Sequence, residues 1–215
     1  DVLQSRGYKV VMIRTTNDVN ISNRERAEMA NNAGAGVFIR LHCDGIGNSG
    51  VTGASVQEPA NGNPYMSAGN VSASQSLGRT VLNHYCSTTG IRNRGMAARN
   101  DLSGINWCKT PVCLLEMGFI SNGDEDRKLN SRDFQQKVAG GIANGGDCRL
   151  VGGFQREVDA APRQAVIEGI LKEILEHPVQ ARTVGRDLNR LLRQVKLEGQ
   201  AGFLNLAIHV GKGLT

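Results

Sequence analysis

Aromatic residues are scarce in this chain: they make up 4% of its 215 positions, and no stripe of Lys and Arg is interleaved with them. Grooves that bind single-stranded nucleic acid combine a basic track with aromatic stacking platforms, so we expect no nucleic acid among the partners. No apolar run is long enough to cross a bilayer, and we predict no membrane span. Residues 1–8 read as the end of a helix and not as a basic start before an apolar stretch, so no signal peptide is visible and secretion stays open.

Paired C-x-x-C spacing is also missing, although the chain has five cysteines. Its absence excludes the usual zinc knuckles and dithiol redox motifs. Because the number is odd, at least one thiol stays unpaired or pairs between chains. We interpret the cysteines as small buried hydrophobic residues in a mostly reduced chain. They are Cys43, Cys86, Cys108, Cys113 and Cys148.

What the chain does have is an ordinary globular composition, with 40% hydrophobic and 21% charged residues. Its length predicts one main domain with an appendage. The net charge of +5 favours anionic partners, a description that fits both bacterial wall polymers and nucleic acids, so charge alone does not choose between them. A nucleic-acid binder that works through a basic tail is the least favoured reading. The sequence does not fix the oligomeric state.

Strand and helix patterns alternate along the first 145 residues. Short apolar runs predict strands at 10–13, 37–42, 53–57 and 112–119. Helical spacing predicts helices at 22–33, 67–88, 125–130 and 134–143, the first opened by a capping box from Ser22 to Glu25. Arg94 and Gly95 are expected to begin an irregular segment. The alternation predicts an α/β fold, a three-layer sandwich with a largely parallel sheet.

The sequence changes character after about residue 145. Apolar residues fall on one helical face over 162–177, and a second such stripe covers 184–199. We therefore divide the chain into a domain at 1–145 and a helical hairpin-like tail at 146–215, whose role is unknown. A stretch at 203–210 alternates like a half-buried strand and contains His209.

Two ionisable residues stand at the ends of predicted buried strands, His42 after VFIRL and Glu116 within VCLLEMGF. Open α/β sheets place their chemistry at the carboxyl ends of the strands, so these two side chains are expected to share one edge. A lone histidine there is more often structural, and a lone glutamate is usually in a salt bridge or a cap. Together they match the metal ligand and the general base of a zinc hydrolase.

The sequence motifs around these residues resemble those of a known family. They are RTTND, then RAEMANNAGAGVFIRLHCDG, then RG and DL at Arg94, Gly95, Asp101 and Leu102, and finally PVCLLEMGFISNGDEDRKLNSRDFQQKVAGGIANG. In this order and spacing the chain resembles the zinc-dependent N-acetylmuramoyl-L-alanine amidases of type 3. These are cell-wall hydrolases that also occur as sporulation and phage lytic enzymes. The resemblance covers roughly residues 1–145.

The resemblance implies a mechanism and a substrate. In the family, two histidines and a glutamate hold one zinc ion, and a further glutamate activates the water. His42 matches the later histidine ligand and Glu116 matches the catalytic glutamate of E-x-G-F-x-S-N. The implied partner is peptidoglycan, cut between N-acetylmuramic acid and L-alanine. The implied location of a full-length member is extracellular or in the cell wall.

The resemblance also implies that the first histidine and the glutamate ligand precede the first strand seen here, ahead of Asp1. His42 is then the one ligand carried over, the zinc site is incomplete, and its affinity should collapse. The segment that contains His209 is only loosely similar to the family segment that contains the first histidine ligand. Cys43 stands where the family usually has alanine. The alternative is therefore a catalytically inactive amidase-fold module that binds the wall or a protein partner.

Overall fold

The computed structural model describes residues 2–16 and 19–146 and the strand at 164–168. These residues form alternating helices and strands, as the sequence predicts for an α/β fold. In chain order they are α1 (Val2–Ser5), β1 (Lys9–Met12), α2 (Asn23–Asn32), β2 (Val37–Asp44), β3 (Ala54–Pro59), α3 (Ala68–Thr89), β4 (Asn93–Arg99), α4 (Ser103–Asn106), β5 (Val112–Phe119), α5 (Gly123–Leu129), α6 (Arg132–Gly145) and β6 (Gln164–Glu168).

The six strands form one sheet in the order β1-β6-β2-β5-β3-β4. Every neighbouring pair is parallel except β3 and β5, which run antiparallel. The predicted largely parallel sheet is confirmed. Because β2 and β5 are parallel neighbours at its centre, their carboxyl ends meet at the same edge.

Helices cover both faces of the sheet and complete the three layers. On one face α3 and α6 enclose the larger core, to which Leu77, Val81 and Leu115 belong. On the other face the smaller core contains Phe38 and Ile105 and is covered by α2 and α4. Burying apolar side chains on both faces is the arrangement expected of a central parallel strand.

Helix α2 begins where the sequence predicts. The Ser22 hydroxyl accepts a hydrogen bond from the Glu25 amide at 3.2 Å, and the Glu25 carboxylate accepts one from the Ser22 amide at 2.7 Å. These reciprocal bonds satisfy two of the amides that a helix start leaves without partners. Ala27 and Ala30 are fully buried, so the helix lies close to the sheet.

Glycines allow α6 to pack against α3 at short range. A Cβ atom added to Gly145 would lie 2.4 Å from the Val81 Cα, closer than any real contact, whereas a Cβ on Gly140 would meet no atom within 4 Å. Gly145 is thus required by the helix–helix contact, and Gly140 is not.

The prediction of an irregular segment at Arg94 and Gly95 was wrong, because both residues belong to β4. Among the described strands it lies at the edge of the sheet and pairs with β3 alone, and its register is interrupted by a bulge. Gly95 has a φ of 89°, which glycine adopts without strain. A bulged edge strand with several exposed residues has no apolar run to reveal it.

The prediction of a helix at 162–177 was wrong over Gln164–Glu168, which form β6. This strand lies between β1 and β2 and is parallel to both. A short apolar run satisfies the spacing of a buried helix and of a buried strand alike, so only its pairing partners decide between them. The rest of the predicted hairpin-like tail, the strand pattern at 203–210 and Cys148 lie outside the described residues. The division at residue 145 stays a prediction.

No helix among the described residues is both long and apolar enough to cross a membrane.

Candidate active site

His42 on β2 and Glu116 on β5 are direct partners in the register of the two parallel strands. Neighbouring strands lie about 4.8 Å apart, so the two backbones are in immediate proximity. The preceding residues, Leu41 and Leu115, both belong to the larger core. Because successive side chains of a strand alternate between faces, His42 and Glu116 project together to the opposite face. The structure thus brings the two candidate residues together.

The carboxyl group of Glu116 is held in a setting that disfavours its charge. Its Oε2 atom is buried, and no described group donates a hydrogen bond to it. Burial raises the pKa of Glu116 to about 8, the negative charge of Asp44 adds to the rise, and the guanidinium of Arg40 opposes it. A carboxyl group that titrates near neutral pH is suited to exchange protons with a reacting molecule.

Arg40 lies two residues before His42 on the same strand and is almost fully buried. Its Nη2 donates to the Asn23 Oδ1 at 2.8 Å, at the start of α2. A Cβ on Gly104 would lie 1.8 Å from Nη1, so only glycine fits beside this guanidinium. Sequence reasoning missed Arg40, because an arginine inside an apolar strand does not reveal which carboxyl group it faces.

The antiparallel strand β3 supplies the third side of the site. Ser55 is the register partner of Glu116, and Gln57 is that of Leu114. Since Ala54 and Val56 point into the larger core, Ser55 and Gln57 share the face of Glu116. The Gln57 Oε1, like the Glu116 Oε2, is a buried acceptor without a described donor. Two such acceptors on one face favour a site for a cation or for hydrogen-bond donors.

The loop between β2 and β3, predicted from its Gly, Asn and Ser content, is anchored by the turn after β5. The buried carboxylate of Glu125 accepts the Gly53 amide and the Phe119 amide, each at 2.8 Å. The Asn122 Nδ2 donates to the Ser49 carbonyl at 2.7 Å. Glu125 thereby links the end of the loop between β2 and β3 to the end of β5.

Cys43 follows His42 but lies on the other face, where it packs against the larger core. Burial raises the pKa of its thiol far above the ordinary value, so it remains neutral. Cys43 therefore belongs to the core side of β2 and not to the face that carries His42.

The described residues fit only part of a zinc site. No group of three or more His, Cys, Asp or Glu residues among them could hold a metal ion. Catalytic zinc needs three protein ligands, whereas among the described residues one histidine is the register neighbour of one glutamate. His209 lies outside the described residues.

Comparison with known proteins settles the family. The profile of the N-acetylmuramoyl-L-alanine amidases matches residues 1–146. The chain belongs to this amidase family. The match confirms the family resemblance inferred from the motifs. His42 and Glu116 both lie within the matched residues. Members of the family are generally zinc-dependent.

Individual proteins and one solved structure are similar to this chain. The amidase chain is 31% identical over 147 residues to YqiI of Bacillus subtilis, a match that covers 68% of this chain and 66% of YqiI. It is 27% identical to the amidase AmiA of Salmonella typhimurium, covering 67% and 62% of the two chains. Among solved structures, an amidase from Clostridium difficile 630 superposes with a TM-score of 0.60 at 27% identity, covering 67% of this chain and 73% of that one. The amidase chain thus spans just under two thirds of the length of these curated relatives.

Proposed function

We propose that this chain is the catalytic domain of a peptidoglycan hydrolase, which cleaves the amide bond between N-acetylmuramic acid and L-alanine with zinc-activated water. The observation that supports it most is the register pair of His42 and Glu116 at the carboxyl edge of the sheet. The family match covers both residues.

In this proposal Glu116 is the general base and His42 is one zinc ligand. Further ligands have to come from outside the described residues, because those described supply no complete set. Zinc, when bound, lowers the pKa of a coordinated water to about 7 and polarises a carbonyl group.

Glu116 would accept one proton from the water as its oxygen bonds to the amide carbon, and return it to the nitrogen as the C–N bond breaks. The products are the muramic acid lactyl carboxyl group and a peptide with a free L-alanine amine. The raised pKa of Glu116 makes its carboxylate a stronger proton acceptor than an ordinary glutamate, and the charge of zinc, when zinc is bound, would favour the ionised form that accepts the first proton.

Peptidoglycan is the proposed partner, and the cell wall or the extracellular space is the proposed location. The net charge of +5 supports both, because it attracts an anionic wall polymer over long range.

A second candidate function is a catalytically inactive amidase-fold module that binds the wall or a protein partner. One observation favours it: the described residues lack a group of three metal-ligating side chains. Metal analysis separates the two functions, since about one zinc per purified chain supports the enzyme and none supports the module.

The direct test is to incubate the full chain and ZnCl2 with a purified muropeptide and to identify the products by mass spectrometry. We expect a free peptide beginning with alanine. Glu116→Gln should slow its release by at least about 100-fold, the scale of general-base catalysis. Glu28→Gln is the matched control, because Glu28 is exposed on α2 in a salt bridge with Arg24, and it should leave the rate unchanged. Equal rates for all three proteins would refute the assignment of Glu116.

A further inference from the structure

Arg94 lies at the same edge of the sheet as the candidate active site. It is the second residue of β4, whose first residue, Asn93, is the register partner of Ala54 on β3. The next residue of β3, Ser55, is the partner of Glu116. The backbone of Arg94 is therefore two strands away from that of Glu116, a lateral separation of roughly 10 Å.

Three contacts fix the long side chain of Arg94 although it is exposed to solvent. Its Cζ lies 5.2 Å from the centre of the Phe119 ring, and its Nη1 donates to the Thr52 carbonyl at 3.1 Å. A Cβ atom added to Gly53 would lie 2.7 Å from the Arg94 Cγ, so the Gly53 backbone packs closely against the aliphatic part of the arginine side chain. The guanidinium is thus oriented before anything binds, which lowers the entropic cost of using it.

The charge of Arg94 has no carboxylate partner among the residues that the structure describes. Other arginines there do have one: Arg24 pairs with Glu28, Arg99 with Asp101, and Arg127 with Asp124. Only one of the five N–H donors of Arg94 is used by a described acceptor. The remaining N–H donors of its guanidinium can bind a planar anion, such as a carboxylate, from solvent.

We propose that Arg94 is a substrate-binding residue that pairs with a carboxylate of the peptide stem. This inference rests on the proposed function and adds a specificity to it. The guanidinium lies over Phe119, which follows Glu116 by three residues on β5, a span of roughly 10 Å along the strand. An extended peptide advances about 3.3 Å per residue, so this span corresponds to two or three residues beyond the scissile amide. The α-carboxylate of the second stem residue falls in this range.

Binding can be measured without turnover in the Glu116→Gln background. The probes are N-acetylmuramoyl-L-alanyl-D-glutamate and the same compound with its α-carboxyl group amidated, titrated by calorimetry. We expect the acid to bind about tenfold more tightly than the amide, as one charge-assisted pair provides. Adding Arg94→Met should make the two dissociation constants equal, and Arg94→Lys should restore only part of the difference, because lysine lacks the planar fork.

Arg92→Met is the matched control, since Arg92 is an exposed cation that lies two residues before Arg94 in the chain. It should keep the preference for the acid. If Arg92→Met abolishes the preference as fully as Arg94→Met, the effect is general attraction and the proposal is wrong. Equal binding of acid and amide before Arg94 is changed would overturn the carboxylate contact alone. Failure to bind either probe would overturn the peptidoglycan function itself and the Arg94 contact with it.

Discussion

Replacing Glu116 by Gln should stabilise the folded chain at neutral and alkaline pH when metal is removed with a chelator. The native carboxyl group has a pKa near 8 because it is buried beside Asp44, whereas in the unfolded chain its pKa is near 4.5. Between these two values the native state binds more protons than the unfolded state. Stability contributed by this group is therefore complete below about pH 4.5 and is lost as the pH rises through about 8.

The size of the effect follows from the shift. A rise from 4.5 to about 8 corresponds to at most about 5 kcal/mol at high pH. Partial access of water to the carboxyl group reduces this, and we expect about 2–3 kcal/mol. Glutamine keeps the shape of the side chain and cannot ionise, so the variant should lack this pH-dependent loss.

The assay is urea unfolding of both proteins at intervals from pH 4 to pH 9. The difference in free energy of unfolding should be near zero at pH 4 and should grow steadily in favour of Glu116→Gln up to about pH 8. Glu28→Gln, on the exposed face of α2, is the control and should follow the original chain. Parallel curves for Glu116→Gln and the original chain, or a difference largest in acid, would refute the reasoning.

Four further substitutions, one of them a control, test the scaffold by urea unfolding. Ser22→Ala removes the capping hydroxyl of α2 and should cost about 1 kcal/mol; no loss would contradict the capping box. Gly145→Ala forces a methyl group against α3 and should cost about 2 kcal/mol, whereas Gly140→Ala on the same helix should be neutral or stabilising; equal effects would contradict the close helix contact. Glu125→Ala leaves two buried backbone amides without acceptors and should cost about 3 kcal/mol or more; a change under 1 kcal/mol would show that these bonds contribute little.

Local signals were sufficient for the elements that form the centre of the fold. The capping box at Ser22 sets the start of α2, and the apolar runs before His42 and around Glu116 are long enough to be buried strands. Because the carboxyl ends of parallel neighbours share an edge, the meeting of His42 and Glu116 could also be predicted. The cap and the two strands depend on residues close in sequence, and the meeting of His42 and Glu116 follows from them by the general rule for parallel neighbours.

Features that depend on distant pairing could not be predicted in this way. The edge strand that contains Arg94 has a bulge and no buried apolar run, so its pairing with β3 is what reveals it. Gln164–Glu168 have an apolar pattern compatible with a helix, and they form a strand because β1 and β2 lie on either side of them. In each case the partner strand decides the structure.

The electrostatics of the site also depend on residues that are distant in sequence and could not be predicted. Nothing in the sequence shows that Asp44 raises the pKa of Glu116 or that Arg40 lowers it. Nor does the sequence show that Arg40 contacts Asn23 and lies close to Gly104. Such effects depend on distances of a few ångströms between residues on different elements, which a one-dimensional pattern does not contain.

The proposed cleavage is tested most directly by digesting peptidoglycan with the full chain and zinc in water enriched in oxygen-18. Mass spectrometry of the products should find one label in the lactyl carboxyl group of muramic acid and a free amine on the alanine. A label in a peptide carboxyl group or at a sugar carbon would show that another bond is cut. Absence of labelled product, together with absence of bound zinc, would contradict the enzymatic function and leave the inactive module.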